Sequence, residues 1–171
     1  MQVGMGFWAS KALLAAVHFK LFTLLAGGKK MSGKAIKNAL HLKTITRHIL
    51  DWLDVLTMLG FLNREGLFTE AVYTNNTDAE ALLDRGKPGY MGGVLERANN
   101  RLYKFWGDLE EGLYTGLSQN ETKTGLMGES FSSLYSSPEK LQEFMDAMSG
   151  IQTGNFIALA KQFDFSEYRS L

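Results

Sequence analysis

Few side chains in this sequence have the types and spacing that catalysis or metal binding needs. The histidines His18, His41 and His48 are scattered, and only His48 lies at a helical spacing from a carboxylate, Asp51. Because a metal site needs three or four ligands, no metal-binding residue is predicted. The chain has no cysteine, which excludes disulfides and thiolate catalysis. It also has no Gly-x-Ser-x-Gly elbow for a serine nucleophile.

Two pairs of carboxylates, Asp51 with Asp54 and Glu110 with Glu111, are candidates for acid–base chemistry. Both pairs lie in amphipathic helical patterns, where neighbouring acids usually form a solvated face. Residues 4–9 imitate a dinucleotide fingerprint, but no strand precedes them, so a phosphate-binding turn has no support. The sequence therefore nominates no catalytic and no cofactor-binding residue.

Length and composition indicate one ordered domain. The 171 residues are 45% hydrophobic and 21% charged, with 2 prolines, which is typical of a globular chain and not of a disordered or fibrous one. The formal net charge is zero, yet residues 1–64 carry nine basic and two acidic side chains, whereas residues 65–171 carry nine and sixteen. We expect the two segments to attract each other or a second copy of the chain.

The longest apolar run, residues 7–26, is interrupted by Lys11, His18 and Lys20. A charge at the centre of a bilayer costs about 2.5–3.5 kcal/mol, so the run is predicted not to span a membrane. Its ends also lack the basic start and the small-residue cleavage site of a secretory signal. We expect no membrane partner, and a cytoplasmic location is the default.

Hydrophobic periodicity predicts three helices and then a small hairpin. The first helix, residues 7–26, is apolar on so many sides that it must be covered nearly all round. A second helix, capped by Ser32, runs to about residue 40. A third spans about residues 44–59, and its predicted inward face consists of Ile45, Ile49, Trp52, Leu53 and Leu56. Residues 61–69 indicate two short strands about a turn. This order of elements is that of a winged helix.

Beyond the hairpin the pattern stays helical. A short acidic helix is predicted after residue 75, and apolar residues at every third or fourth position predict a long helix over about residues 94–114. Residues 116–130 are predicted to be an exposed loop. Ser137 and Pro138 mark the start of a last long helix, because proline is tolerated at a first helical position. The predicted fold class is mainly α.

Two classes of binding protein stay open at this point. Six basic side chains surround the predicted helix-turn-helix unit: Lys29, Lys30, Lys34, Lys37, Lys43 and Arg47. A recognition helix would present residues 44–48 to DNA base edges. Against this, Asp51 and Asp54 follow on the same helix, and a neutral chain gains little from counterion release. A winged-helix DNA-binding regulator and a free-standing module for an apolar ligand are the alternatives.

Five segments carry a family resemblance: residues 10–17 (SKALLAAV), 53–62 (LDVLTMLGFL), 83–88 (LDRGKP), 101–106 (RLYKFW) and 137–148 (SPEKLQEFMDAM). In this order they resemble the N-terminal domain of the S-adenosylmethionine-dependent O-methyltransferases. These enzymes act on plant phenolics, acetylserotonin and bacterial polyketide-like metabolites. The resemblance implies a winged-helix dimerisation region at residues 1–75 and a helical region at residues 76–171 within the same domain. It also implies an intertwined homodimer without a nucleic-acid partner.

The resemblance further implies that the helices line the pocket of a small-molecule methyl acceptor. Phe144 and Met148 match pocket positions, as do Leu102 and Trp106. The family's cofactor is S-adenosylmethionine, but no residue of this sequence matches the family's cofactor loop or its catalytic base. We therefore expect the cofactor-binding domain to be absent from this chain, and the chain alone not to bind S-adenosylmethionine.

Overall fold

A computed structural model describes residues 1–120, 135, 137–168 and 170, and it confirms the mainly α prediction. The helices are α1 (Gly6–His18), α2 (Leu21–Leu24), α3 (Gly33–Ala39), α4 (Thr46–Met58), α5 (Thr77–Leu82), α6 (Gly92–Arg97), α7 (Tyr103–Gly107), α8 (Leu109–Thr115) and α9 (Pro138–Gln162). The strands are β1 (Met31–Ser32), β2 (Leu62–Glu65) and β3 (Val72–Asn75). They form one antiparallel sheet in the order β1-β3-β2. Intertwining of two chains stays a prediction.

The winged-helix half packs around one apolar core. The predicted inward face of the third helix is confirmed, because Ile49, Leu53 and Leu56 of α4 are buried against the other elements. Their spacing places them on one side of the helix. Ile45 was expected on the same face but is 59% exposed, because α4 begins only at Thr46.

The predicted first helix is in fact two helices. Lys20 has a φ of 59°, in the left-handed region, and separates α1 from α2. Leu21 and Phe22 follow this break and are fully buried. No glycine or proline marks the position, so local sequence rules did not predict the break. The break therefore separates α1 from a second short helix whose first two residues lie in the core.

The second strand of the hairpin lies later in the sequence than predicted. Residues 66–69 do not form a continuous strand, because Gly66 has a φ of 82° and Phe68 a φ of 51°. A 3₁₀ turn, Phe68–Glu70, follows, and β3 begins at Val72. The structure also adds β1, which pairs with β3 through Met31 opposite Tyr73.

The predicted long helix over residues 94–114 is interrupted twice. A π turn, Ala98–Leu102, joins α6 to α7, and Asp108 separates α7 from α8. Residues 116–120 of the predicted loop have no regular structure, and residues 121–130 lie outside the described residues. The start of α9 is confirmed, since the Ser137 hydroxyl accepts a bond from the Lys140 amide and Pro138 is the first helical residue.

Helix α9 crosses α6 at very short range. A Cβ atom at Gly93 would lie 2.9 Å from the backbone carbon of Asp146, and one at Gly150 would lie 3.2 Å from the Cα of Met91. Met91, just before α6, faces Gly150, whereas the later residue Gly93 faces the earlier residue Asp146. The two helices are therefore antiparallel. Gly150 thus faces the residue that precedes α6, whereas a Cβ at Gly154 would meet nothing within 4 Å.

Candidate functional site

An apolar groove of about 540 Å³ runs between α1 and α4. We call it the α1–α4 groove, and it is lined by Met5, Trp8, Ala9, Ala12, Asp51, Trp52, Val55 and Leu59. All of these except Asp51 have apolar side chains. Trp8 is 64% exposed and Val55 is 41% exposed, so large apolar groups line a surface that water reaches.

The Trp52 indole, which lines the groove, is held in place by two contacts. The Trp52 Nε1 donates a hydrogen bond of 3.1 Å to the backbone oxygen of Ala12. The Phe19 ring meets the Trp52 ring edge-on, with centroids 6.0 Å apart. With its N–H satisfied, the indole presents a purely apolar surface to the groove.

The rim of the groove is also apolar. Phe7 precedes Trp8, and their rings pack edge-on at 5.5 Å. Met58 lies one helical turn beyond Val55 and is 87% exposed. Contiguous exposed apolar surface of this kind marks interaction sites in soluble proteins.

The predicted pocket residues of α9 lie on one helix face. Phe144 and Met148 are one turn apart, so their side chains lie along the same side of the helix. Phe144 is half-buried, and the Arg97 guanidinium carbon lies 5.2 Å from the centre of its ring. Met148 is 37% exposed.

The other two predicted pocket residues follow the π turn. Leu102 is its last residue and Trp106 lies four residues further, in α7. Their side chains are 36% and 70% exposed. Trp106 lines a cavity of about 190 Å³ together with Phe105, Leu109, Gly112 and Gln119. That cavity does not include Phe144 or Met148, so a shared pocket for the four residues stays a prediction.

The structure reveals contacts between α1 and the π turn that the sequence analysis missed. The Lys11 ammonium donates a 2.6 Å hydrogen bond to Asn99 Oδ1 and lies 5.2 Å from the centre of the Tyr103 ring. The Tyr103 hydroxyl donates a bond of 3.2 Å to the Phe7 carbonyl. The sequence signal was the pair Asn99 and Asn100, two poor helix formers inside an apolar helical pattern.

Four charged residues on α4 and β2 form two ion pairs. Arg64 forms an ion pair of 2.9 Å with Asp54, and Arg47 lies 3.8 Å from Asp51. The buried Tyr73 hydroxyl donates a 2.7 Å bond to Asp54. Burial, followed by the Asp54 carboxylate, raises the pKa of Tyr73 above its ordinary value. Asp54 is thus engaged within the fold, whereas the Arg47–Asp51 pair is solvent-exposed.

Metal binding and membrane insertion find no support in the described residues. Within residues 1–120, 135, 137–168 and 170, no three acidic or histidine side chains are grouped so as to hold a metal ion. Among the helices of the same residues, none has both the length and the apolar content that a bilayer crossing requires.

Comparisons with known proteins agree with this architecture. Residues 1–85 match the family described as the O-methyltransferase dimerisation domain. The chain is 39% identical over 171 residues to the tetracenomycin polyketide synthesis 8-O-methyl transferase TcmO of Streptomyces glaucescens, covering 99% of this chain and 47% of that protein. It is 28% identical to the N,N-dimethyltransferase OxyT of Streptomyces rimosus, with 99% and 47% covered. The chain thus spans about half the length of these relatives.

Solved structures share the fold. Human N-acetylserotonin methyltransferase in complex with SAM superposes with a TM-score of 0.82 at 24% identity, covering 96% of this chain and 48% of that one. PigF with SAH gives a TM-score of 0.79 at 24% identity, with 98% and 48% covered. The match of residues 1–85 identifies an O-methyltransferase dimerisation domain in this chain, and the solved structures share its fold.

Proposed function

We propose that this chain is the dimerisation and acceptor-pocket part of an S-adenosylmethionine-dependent O-methyltransferase. The methyl acceptor is a hydroxyl group of a small aromatic or polyketide-like metabolite. Support comes from TcmO, a relative named as a polyketide 8-O-methyl transferase and similar along 99% of this chain. The name of OxyT, an N,N-dimethyltransferase, indicates that similar chains also serve methylation of nitrogen. The choice of oxygen therefore rests on the higher identity to TcmO.

The observation that carries the dimer proposal is the α1–α4 groove. Its lining falls wholly within residues 1–85, the part that matches a dimerisation domain. The buried core of a homodimer interface is more apolar than the general surface and rich in aromatic residues. Trp8, Trp52 and Val55 have these properties. We infer that a second copy of the chain covers the groove.

The acceptor-pocket proposal rests on the chemistry of α9 and the π turn. Small-molecule pockets are lined mainly by apolar and aromatic side chains with a few polar groups. Phe144 and Met148 supply apolar and aromatic side chains, and Arg97 supplies a polar group. Beyond Gly150, α9 carries further exposed apolar residues: Ile151, Phe156, Ile157 and Leu159. We place the contact with the cofactor-binding part of a full-length protein along this stretch.

The described residues do not fit S-adenosylmethionine itself. A site for a nucleotide-type cofactor needs a parallel strand that leads into a glycine turn at a helix N-terminus. The described sheet is antiparallel, with strands of two and four residues. We therefore derive no methyl-transfer step from these residues, and calorimetric titration of this chain with S-adenosylmethionine is expected to show no binding.

Analytical ultracentrifugation of Val55→Asp tests the dimer proposal. In a monomer the new carboxylate is partly solvated and costs little. In a dimer it is buried without a partner, and an uncompensated buried charge costs about 3–5 kcal/mol. The dimer dissociation constant is expected to rise more than a hundredfold, since every 1.4 kcal/mol is about tenfold.

Ile45→Asp is the matched control. It makes the same kind of change beside the same helix, at a residue that is 59% exposed and outside the groove lining. It should leave the dissociation constant within about threefold, a change below roughly 1 kcal/mol. A parent chain that sediments as a monomer at all concentrations, or equal weakening by both variants, would refute the assignment.

Steady-state kinetics of the full-length enzyme test whether Met148 lines the acceptor pocket. Met148→Ala is expected to raise KM for the acceptor about tenfold or more, the effect of losing roughly 1.4 kcal/mol of apolar contact, without changing KM for S-adenosylmethionine. Gln142→Ala is the control, because Gln142 is exposed and lies about 120° around the α9 axis from Met148. An equal effect of both substitutions would contradict the placement of the pocket.

A further inference from the structure

We propose that α1 couples the dimer interface to the acceptor pocket, with Lys11 and Tyr103 as the positioning residues. This inference rests on the proposed function, because it assumes that a second chain occupies the α1–α4 groove. It adds a role to α1 beyond supplying interface surface. Neither Lys11 nor Tyr103 is placed in the groove or in the pocket.

Helix α1 uses three sets of side chains, which we call its three faces. At about 100° per residue, the face with Trp8 and Ala12 lies about 100° around the helix axis from the face with Phe7 and Lys11. Leu14 and Val17 form the first face and are buried in the core. The second face, with Trp8 and Ala12, lines the groove. Phe7 and Lys11, one turn apart, form the third. A force on the groove face is therefore transmitted to the third face through a single rigid helix.

The third face is held to the π turn by three contacts within one helical turn. The Lys11 ammonium bonds Asn99 Oδ1 at 2.6 Å and lies over the Tyr103 ring at 5.2 Å. The Tyr103 hydroxyl donates in the opposite direction, to the Phe7 carbonyl at 3.2 Å. Asn99 and Tyr103 are themselves four residues apart. The contacts therefore fix both the position and the rotation of this segment against α1.

The segment that α1 holds is the π turn Ala98–Leu102, and regular α-helix is the conformation that would compete with it. A π turn accommodates one residue more than an α turn and is less stable than regular α-helix. Conversion to α-helix would rotate every later residue by about 100° around the helix axis. Leu102 and Trp106 are the residues that would change direction first. The Lys11 and Tyr103 contacts thus select the direction of these two pocket residues.

The same segment is joined to the other half of the predicted pocket. Asn100 Nδ2 donates a bond of 3.2 Å to Glu143 Oε1 on α9. Arg97, which directly precedes the π turn, stacks on Phe144. A change in the π turn therefore reaches Phe144 as well as Trp106. Dimer formation, which immobilises α1, is expected to order the pocket on both sides.

Fluorine NMR of the chain labelled with 5-fluorotryptophan tests this coupling. The sequence has three tryptophans: Trp8 and Trp52 report on the groove and Trp106 on the pocket. Dilution through the dimer dissociation constant is expected to shift all three resonances. In Lys11→Met, which keeps the length of the side chain but removes the ammonium, the shift of the Trp106 resonance should fall by at least half. Tyr103→Phe should act in the same way.

The groove resonances and a surface control separate the outcomes. Trp8 and Trp52 should respond to dilution in both variants as in the parent, and Lys34→Met, at an exposed site on α3, should change nothing. If the Trp106 resonance of the parent does not shift on dilution, the coupling proposal is wrong and the dimer proposal stands. If the Trp106 resonance shifts equally in all variants, the coupling proposal is also wrong, because Trp106 would then contact the partner chain directly. If Trp8 and Trp52 are independent of concentration, the dimer proposal fails and the coupling with it.

Discussion

Replacing Gly93 by alanine is expected to weaken the crossing of α6 and α9. The added Cβ would lie 2.9 Å from the Asp146 carbon, 3.0 Å from its oxygen and 3.1 Å from the Ala147 nitrogen. All three are backbone atoms, which cannot rotate away as a side chain can. The two helices must therefore move apart for the methyl group to fit.

The expected cost follows from two opposing effects. Carbon atoms pack favourably at about 3.5–4.0 Å, so the helices must separate by several tenths of an ångström. Overpacking of this kind costs about 1–3 kcal/mol. Alanine has the better helix propensity and restores up to about 1 kcal/mol. With the full propensity gain, the free energy of unfolding is thus expected to fall by up to about 2 kcal/mol, with a central value of about 1 kcal/mol.

Gly154→Ala is the matched control on α9. A Cβ at Gly154 would meet nothing within 4 Å, so only the propensity effect remains, and stability should rise by up to about 1 kcal/mol. Urea unfolding followed by circular dichroism measures both variants. Hydrogen exchange over residues 138–162 should increase for Gly93→Ala alone. A Gly93→Ala variant as stable as the parent, with unchanged exchange in α9, would refute the close crossing.

Three further substitutions test other contacts by unfolding measurements. Tyr73→Phe removes the bond to Asp54 and should lower stability by about 1.5–3 kcal/mol, the range for bonds to charged groups. Because the pKa of Tyr73 is raised in the folded state, the parent should lose stability as the pH rises above the usual tyrosine range near 10, and Tyr73→Phe should show less of that loss. Hydrogen bonds from Asn75 and Gly27 lower the pKa of Glu80, so the stability that Glu80 contributes is lost as the pH falls below the ordinary glutamate value. The free energy of unfolding of Glu80→Gln should therefore decrease less at acid pH than that of the parent. Ser137→Ala should cost about 1 kcal/mol through loss of the helix cap and increase amide exchange at the start of α9.

The element order of the winged helix was predictable because each helix carries a local signal. The apolar spacing of Ile49, Leu53 and Leu56 defines the inward face of α4, and the structure buries all three. Ser137 and Pro138 mark the start of α9 through their own hydrogen bonding and ring geometry. Signals of this kind act within one helical turn and need no partner elsewhere in the fold.

The deviations arise where distant contacts override local preference. The break at Lys20 allows Leu21 and Phe22 to enter the core, although lysine has no intrinsic preference for the left-handed region. The π turn is held by α1, which lies some ninety residues earlier. No local signal marks the break at Lys20, and the Asn99–Asn100 pair is only a weak signal for the π turn, so periodicity predicted continuous helices in both places.

Sequence alone determined the helical class, the winged-helix order, the lack of a recognisable catalytic constellation and, through ordered motifs, the family resemblance. These properties depend on residue types and on spacing along the chain. Only the tertiary structure decided that Trp8 and Trp52 line one groove and that Gly93 meets the backbone of α9. It also decided that Lys11 donates a hydrogen bond to Asn99 in the π turn. Each of these is a contact between distant segments, and its geometry is set by how whole helices pack together.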